Sequence, residues 1–225
     1  MSYLALLAEA TTPALTLTQA WNDGGWVMWV LLAMSVAGVT ICLYFLATFR
    51  VNAVVPLRLR RDLPRYLLGG DPNEARRFCE DCPSPLASVM LVTLDAIRNA
   101  PKADAELIAK VAESEGTRQA EQIQGRTQWL LDIATIAPMV GLLGTVFGMF
   151  QAFGAVASDV AAAKPTLLAA GVSKAIVTTL FGLLVAIPAM FFYAYFRRCA
   201  GQLVSELEGA SAELVAILGS QHAQD

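Results

Sequence analysis

Three threonines are the residues whose type and position could do chemistry inside a membrane. Thr145 lies in an uncharged run of 21 residues, 133–153, and Thr178 and Thr179 lie in an uncharged run of 22 residues, 175–196. A hydroxyl at that depth needs a hydrogen-bond partner or water, because hydrocarbon offers neither. Two interpretations stay open: a helix lining a narrow, partly hydrated passage, or a tightly packed helix pair with Thr145 bonded back to its own backbone.

Small residues recur at steps of three and four along both stretches. In lipid such stripes let helix backbones approach closely, because packing rather than the hydrophobic effect drives helix association there. Proline is tolerable in these helices, because neighbouring groups can satisfy the backbone atoms that it frees. The predicted packing positions are Ala137, Pro138, Gly141, Gly144, Gly148, Gly171, Gly182 and Pro188.

The apolar runs carry hydroxyls but no carboxylate. Residues 133–158 and 160–205 contain no Asp or Glu. A proton pathway needs a group that binds and releases protons. Either the chain has no ion pathway, or a partner helix donates the acid into a passage that the threonines line.

Composition indicates a membrane protein. The chain has 225 residues, of which 56% are hydrophobic and 16% charged, and its mean hydropathy is +0.54. Basic residues are interleaved with acidic ones, so no nucleic-acid partner is expected. The soluble segment has no His and no Gly-rich phosphate loop, so neither an enzyme nor a cofactor is expected.

The distribution of charge predicts the topology. Residues 50–128 hold 12 of the 16 Lys and Arg residues, and Arg197 and Arg198 raise the count on that side of the membrane to 14. The positive-inside rule therefore places this side in the cytoplasm and the N-terminus in the periplasm. The predicted segments are a periplasmic tail (1–25), a first span (26–48), a cytoplasmic helical segment (49–128), a second span (129–157), a short periplasmic loop (158–165), a third span (166–196) and a cytoplasmic tail (197–225).

The predicted fold is an all-α membrane protein with three transmembrane helices, of which the second and third extend into a cytoplasmic helical bundle. Gly69 and Gly70 end one helix of that bundle, and Pro72 and Pro85 begin the next two. No proline occurs between positions 101 and 138, so one unbroken helix is expected to run from the cytoplasm into the second span.

Cys79 and Cys82 form a Cys-x-x-Cys motif. Such a pair can bind zinc or cycle its redox state, but a four-ligand zinc site needs partners, and the only histidine is His222. A plain turn at a helix end is the alternative, and no metal site is predicted. Disulfides are not expected, because the topology places three of the four cysteines at or inside the cytoplasmic boundary.

Two long motifs resemble the MotA/TolQ/ExbB proton-channel family: residues 131–149, LDIATIAPMVGLLGTVFGM, and residues 171–189, GVSKAIVTTLFGLLVAIPA. The Gly-Asp-Pro of residues 70–72 and the Pro-Ser-Pro-Leu of residues 83–86 agree with it. Three spans and this length resemble the ExbB/TolQ branch. The resemblance implies an inner-membrane homo-pentamer around two copies of a single-span ExbD/TolR-like partner, whose helix carries the proton-binding Asp.

The resemblance also implies roles for residues. Thr145 and Thr179 match the family's pore-facing threonines, and both small-residue stripes are expected to face a central cavity. In ExbB-type systems the motor drives TonB and so outer-membrane import. A TolQ-like motor of envelope maintenance and a passive membrane scaffold without ion flux are the alternatives.

Lys174 departs from the family, whose pattern has Glu at this position. A lysine cannot take the same proton-accepting part at an ordinary pKa. It can pair with the partner's Asp and lower the pKa of that group, or extend to the outer interface as an anchor. Both interpretations stay open.

Overall fold

The computed structural model describes residues 21, 24–49, 51–68, 72–100, 104–158 and 165–222. Every regular element in these ranges is an α-helix, as the sequence predicts. The helices are α1 (Trp26–Thr48), α2 (Val51–Val54), α3 (Leu57–Leu68), α4 (Pro72–Asp81), α5 (Pro85–Asn99), α6 (Ala105–Gly125), α7 (Gln128–Ser158) and α8 (Pro165–His222). Residues 1–20, 22 and 23 of the predicted N-terminal tail and residues 159–164 of the predicted outer loop lie outside the described residues.

Within the described ranges, three helical stretches are long and apolar enough to cross a membrane. They are α1, the stretch Ala105–Gly154 and the stretch Gly171–Ser220. The prediction of an all-α protein with three such helices is therefore confirmed. α1 has the bounds of its uncharged run, Trp26–Thr48, and α8 continues for 58 residues.

The chain divides into two compact units, and each is described by itself. The first holds the described residues up to Val39 and Asp132–Met190. In it α1 packs on the other two helices through Val27, Met28 and Leu31, which are buried with Ala137 and Ala186. Pro138 and Pro188 both lie inside helices that continue past them.

The second unit holds Thr40–Leu131 and the described residues from Phe191 onward. Leucines spaced by four residues make one face of α3 apolar, and Leu59, Leu63 and Leu67 are buried. α5 and the late turns of α8 complete the core. It includes Leu86, Val89, Met90, Leu203, Leu207 and Leu214, and burying a side chain of this size stabilises a fold by about 1.5–3 kcal/mol.

Helix starts in this unit follow the local sequence. α4 and α5 begin at Pro72 and Pro85, as predicted. Proline suits a first helical position because its missing N–H would have no partner there. The Ser84 hydroxyl caps α5 by accepting a hydrogen bond from the Ala87 amide at 3.2 Å.

The predicted long second helix is present as the stretch Ala105–Gly154, but the prediction that it is unbroken is wrong. α6 ends at Gly125, and α7 begins at Gln128 after a two-residue turn. The amide and the hydroxyl of Thr127 both donate to the Gln124 carbonyl, at 3.1 and 2.8 Å. These local bonds compete with the i−4 helical pattern, and a threonine side chain can do this where a proline is absent.

Candidate functional site

The backbones of α7 and α8 lie in close contact along the small-residue positions. A Cβ atom added to Gly141 would lie 2.9 Å from the Thr178 carbonyl oxygen and 3.0 Å from the Thr179 Cα. On Gly144 it would lie 2.6 Å from the Thr178 Oγ1, and on Gly182 2.8 Å from the Ala137 oxygen. Any side chain at these three positions would force the helices apart.

The same contact continues toward the end of α7. A Cβ atom on Gly148 would lie 3.3 Å from the Ala175 Cβ, and one on Gly171 would overlap Ala152. Of the two prolines that were predicted to be packing positions, Pro138 is half-buried and Pro188 is exposed. Five of the predicted packing glycines and Ala137 therefore lie in one helix–helix contact within a single chain.

Thr178 is buried inside this contact. Its exposed fraction is 3%, and its hydroxyl donates to the Ala175 carbonyl at 2.7 Å and lies 3.2 Å from the Gly141 carbonyl. The first bond is within α8 and the second joins α8 to α7. Thr178 therefore helps to hold the helix pair together.

Thr145 is satisfied within its own helix. Its hydroxyl donates to the Leu142 carbonyl at 2.7 Å. This is the bond that the packed-pair interpretation of Thr145 requires.

Thr179 differs from both other threonines. Among the described side chains, its Oγ1 is the only buried nitrogen or oxygen atom without a hydrogen-bond partner. Burying a hydroxyl without a hydrogen-bond partner lowers the stability of a fold by about 1–3 kcal/mol, so such groups are rare in native proteins.

The expectation that both small-residue stripes face a central cavity is wrong for these positions. The stripes face each other, because two backbones without side chains gain the closest packing from each other. The bulky residues point away from this contact. The exposed large side chains of α7 and α8 include Met139, Leu142, Leu143, Val146, Phe150, Leu183, Leu184 and Ile187.

A small cavity borders the helix contact. It has a volume of about 100 Å³ and is lined by Trp26, Gly144, Phe147, Gln151 and Thr178, among others. Gln151 is not among the residues predicted for the site from the sequence. The sequence signal for Gln151 is its polar amide side chain, which lies inside an uncharged and mostly apolar run.

Lys174 lies on α8, one residue before Ala175. Its side chain is outside what the structure describes, so neither interpretation of Lys174 is decided. The backbone position places it between Gly171 and Thr178, both of which face α7.

The Cys-x-x-Cys motif lies in the second unit, at the end of α4. Cys79 is fully buried in the core, and Cys82 is partly buried in the bend after the helix. Burial, followed by the nearby Cys82 and Glu80, raises the pKa of the Cys79 thiol to about 12. Zinc ligation and disulfide exchange both use the thiolate, and the described residues contain no group of three metal-ligating side chains.

Comparison with known proteins decides the family. Residues 82–209 match the MotA/TolQ/ExbB proton channel family, and this range contains Thr145, Lys174, Thr178 and Thr179. The chain belongs to this family. It is therefore an inner-membrane protein of a proton-channel family.

Individual relatives place this family member in the ExbB/TolQ branch. It is 24% identical to the biopolymer transport protein ExbB of Xanthomonas campestris pv. campestris (strain B100), over 95% of this chain and 87% of that one. It is 37% identical to the Tol-Pal system protein TolQ of Haemophilus influenzae, over 34% of this chain and 33% of that one. With TolQ of Pseudomonas aeruginosa the identity is 30%, over 52% and 51%. The matches therefore cover about a third to a half of the two TolQ chains.

Proposed function

We propose that this chain is the stator of an ExbB–ExbD or TolQ–TolR type motor, which couples the proton motive force to work on a periplasm-spanning partner. Its work is TonB-dependent outer-membrane import, by analogy with the ExbB relative that matches nearly the whole chain. The single observation that supports this most is the buried, unpaired Thr179 hydroxyl, which lies in an apolar stretch without Asp or Glu.

The chemistry of Thr179 fits an external proton carrier. A hydroxyl can donate to a carboxylate and can accept from a carboxylic acid, so it can serve both protonation states of one group. The chain itself has no such acid in residues 133–158 or 160–205. The Asp of a single-span ExbD/TolR-like helix would supply it and would give Thr179 its missing hydrogen bond. Thr145 lines the same passage in this proposal, whereas Thr178 acts by packing.

Assembly into a homo-pentamer around two partner helices is part of the proposal. The outward faces of α7 and α8 carry the bulky apolar side chains named above. In a membrane these faces can meet lipid, a neighbouring copy or the partner helix. The proposed orientation has the N-terminus in the periplasm, with residues 49–128 and 197–225 in the cytoplasm, on the basis of the distribution of Lys and Arg.

A TolQ-like motor of envelope maintenance is the second candidate. It is supported by the two TolQ relatives, which match this chain over 34% and 52% of its length. A passive scaffold remains as the third. An adjacent gene for a single-span protein with an intramembrane Asp would support a motor against the scaffold.

The test compares Thr179→Val with Thr179→Ser in cells that also produce the partner. Valine keeps the shape and removes the hydroxyl, whereas serine keeps the hydroxyl. We expect Thr179→Val to abolish energy-dependent uptake while the complex still assembles, and Thr179→Ser to retain uptake. Normal uptake in the valine variant would remove the main support for the proposal.

A further inference from the structure

A groove of about 260 Å³ opens in the second unit, beside Arg126. The end of α1 contributes Thr48 to its wall, and Phe49 follows directly. Arg126 comes from the turn after α6, and Leu203 comes from α8. The remaining lining residues come from positions 53–54, 83–85, 119 and 122–123.

Three chain segments place this groove at the boundary of the apolar layer. Thr48 is the last residue of the uncharged helix α1. Arg126 comes three residues before Trp129, which is 66% exposed at the start of α7, and tryptophan is enriched at headgroup depth. Leu203 is five residues after Arg198, which is about 7.5 Å along a helix.

The lining of the groove combines the Arg126 side chain with an apolar wall. Arg126 is exposed, and it forms no ion pair with the part of the chain that the structure describes. Phe49, Val54 and Ile123 supply apolar surface. None of the described residues that line the groove is Asp or Glu.

Glu115, which contacts the groove residue Gln119, is already paired. Gln119, which lines the groove, donates to Glu115 at 2.7 Å. Glu115 itself accepts two hydrogen bonds from Arg118, at 2.6 and 2.7 Å. A negatively charged ligand in the groove would therefore meet Arg126 without a competing free carboxylate on the wall.

We propose that this groove binds the headgroup of an anionic phospholipid, with the phosphate on Arg126 and the start of an acyl chain on the apolar wall. The planar guanidinium suits phosphate oxygens, because it offers paired N–H donors in a fixed geometry. The apolar wall and the depth favour a lipid over a dissolved anion. The inference rests on the membrane insertion of α1 and α7 and is independent of proton transfer.

Native mass spectrometry of the intact detergent-solubilised protein tests this inference. The protein is titrated with phosphatidylglycerol and with phosphatidylcholine. We expect wild type to retain phosphatidylglycerol more tightly, and Arg126→Gln to lose about tenfold of that affinity, because a charge-assisted hydrogen bond is removed. Arg77→Gln is the matched control, since Arg77 is also exposed, forms no ion pair with any described residue and does not line the groove. It should bind as wild type.

Two further arms separate the lipid from a free anion and the groove from the bulk surface. Ala53→Trp puts a large side chain into the groove from an exposed position, and it should reduce retention of phosphatidylglycerol while Arg126 keeps its charge. Glycerol phosphate at millimolar concentration should not displace the lipid. Equal retention by Arg126→Gln and Arg77→Gln, full retention by Ala53→Trp, or displacement by glycerol phosphate would each overturn the proposal. Failure of the Thr179 test concerns only the motor.

Discussion

At the residue scale, the close contact between α7 and α8 depends on glycines, because these residues have no side chain to separate the two backbones. Gly144→Ala should destabilise the protein by about 1–3 kcal/mol, the usual cost of an extra methyl in a packed interior. The new Cβ would lie 2.8 Å from the Thr178 Cβ. Thermal unfolding of the detergent-solubilised protein measures this change.

Gly154→Ala is the matched control on the same helix. A Cβ atom there would meet nothing within 4 Å, and alanine favours a helix over glycine by up to about 1 kcal/mol. Its midpoint should equal or exceed that of wild type. Equal losses in both variants would show that the close approach of the helices is not the cause.

The charge of Lys174 leads to a second prediction at the residue scale. A protonated lysine near the partner's Asp would lower the pKa of that carboxyl group. Lys174→Met should raise this pKa, so the pH dependence of energy-dependent uptake should shift to higher pH. Lys174→Arg keeps the charge and should keep the profile. An unchanged profile in Lys174→Met would favour the interface-anchor interpretation instead.

At the scale of elements, α6 carries a charged pair in which Glu115 is buried and Arg118 is exposed. The side chain of Glu115 is 9% exposed, and the Arg118 hydrogen bonds are the first cause that lowers its pKa. A carboxyl group with a lowered folded pKa stabilises the fold above its unfolded value of about 4.3. That contribution is lost as the pH falls through the folded pKa.

Removing Arg118 should therefore have an effect that depends on pH. In Arg118→Met, burial remains and raises the pKa of Glu115, so a buried carboxylate at pH 7 loses its main partner at a cost of about 1–3 kcal/mol. The difference in unfolding midpoint from wild type at pH 7 should shrink at low pH, once the pH has fallen through the folded pKa of Glu115 and the carboxyl group is protonated. Arg77→Met should show no such dependence. The same loss at both pH values would mean that Arg118 acts by packing alone.

At the scale of the whole molecule, the orientation in the membrane can be tested with single cysteines. Ser114→Cys, in a background without the native cysteines, should resist a membrane-impermeant maleimide in intact cells and react after disruption. Ser114 is exposed on α6, whereas Ser84 is unsuitable because it is buried and caps α5. Ala162→Cys, in the predicted outer loop, should react in intact cells. The reverse pattern would invert the topology.

The sequence alone determined the helical class, the number of long apolar helices and the family. These follow from local quantities: the lengths of uncharged runs, proline positions and two long motifs. The bounds of α1 and the starts of α4 and α5 agree with those patterns. The small-residue positions were also readable, because a repeat of three and four places them on one helix face.

Only the tertiary structure decided what that face contacts. The two small-residue stripes pack against each other. The sequence pattern could not show this, because it does not say which helix a small-residue face packs against. The three threonines have the same chemistry in sequence, yet Thr178 joins two helices, Thr145 bonds to its own helix and Thr179 has no partner. The turn after α6 was likewise missed, since it comes from one hydroxyl competing for one carbonyl. Whether a polar atom is paired depends on distances between helices, and no residue pattern contains those distances.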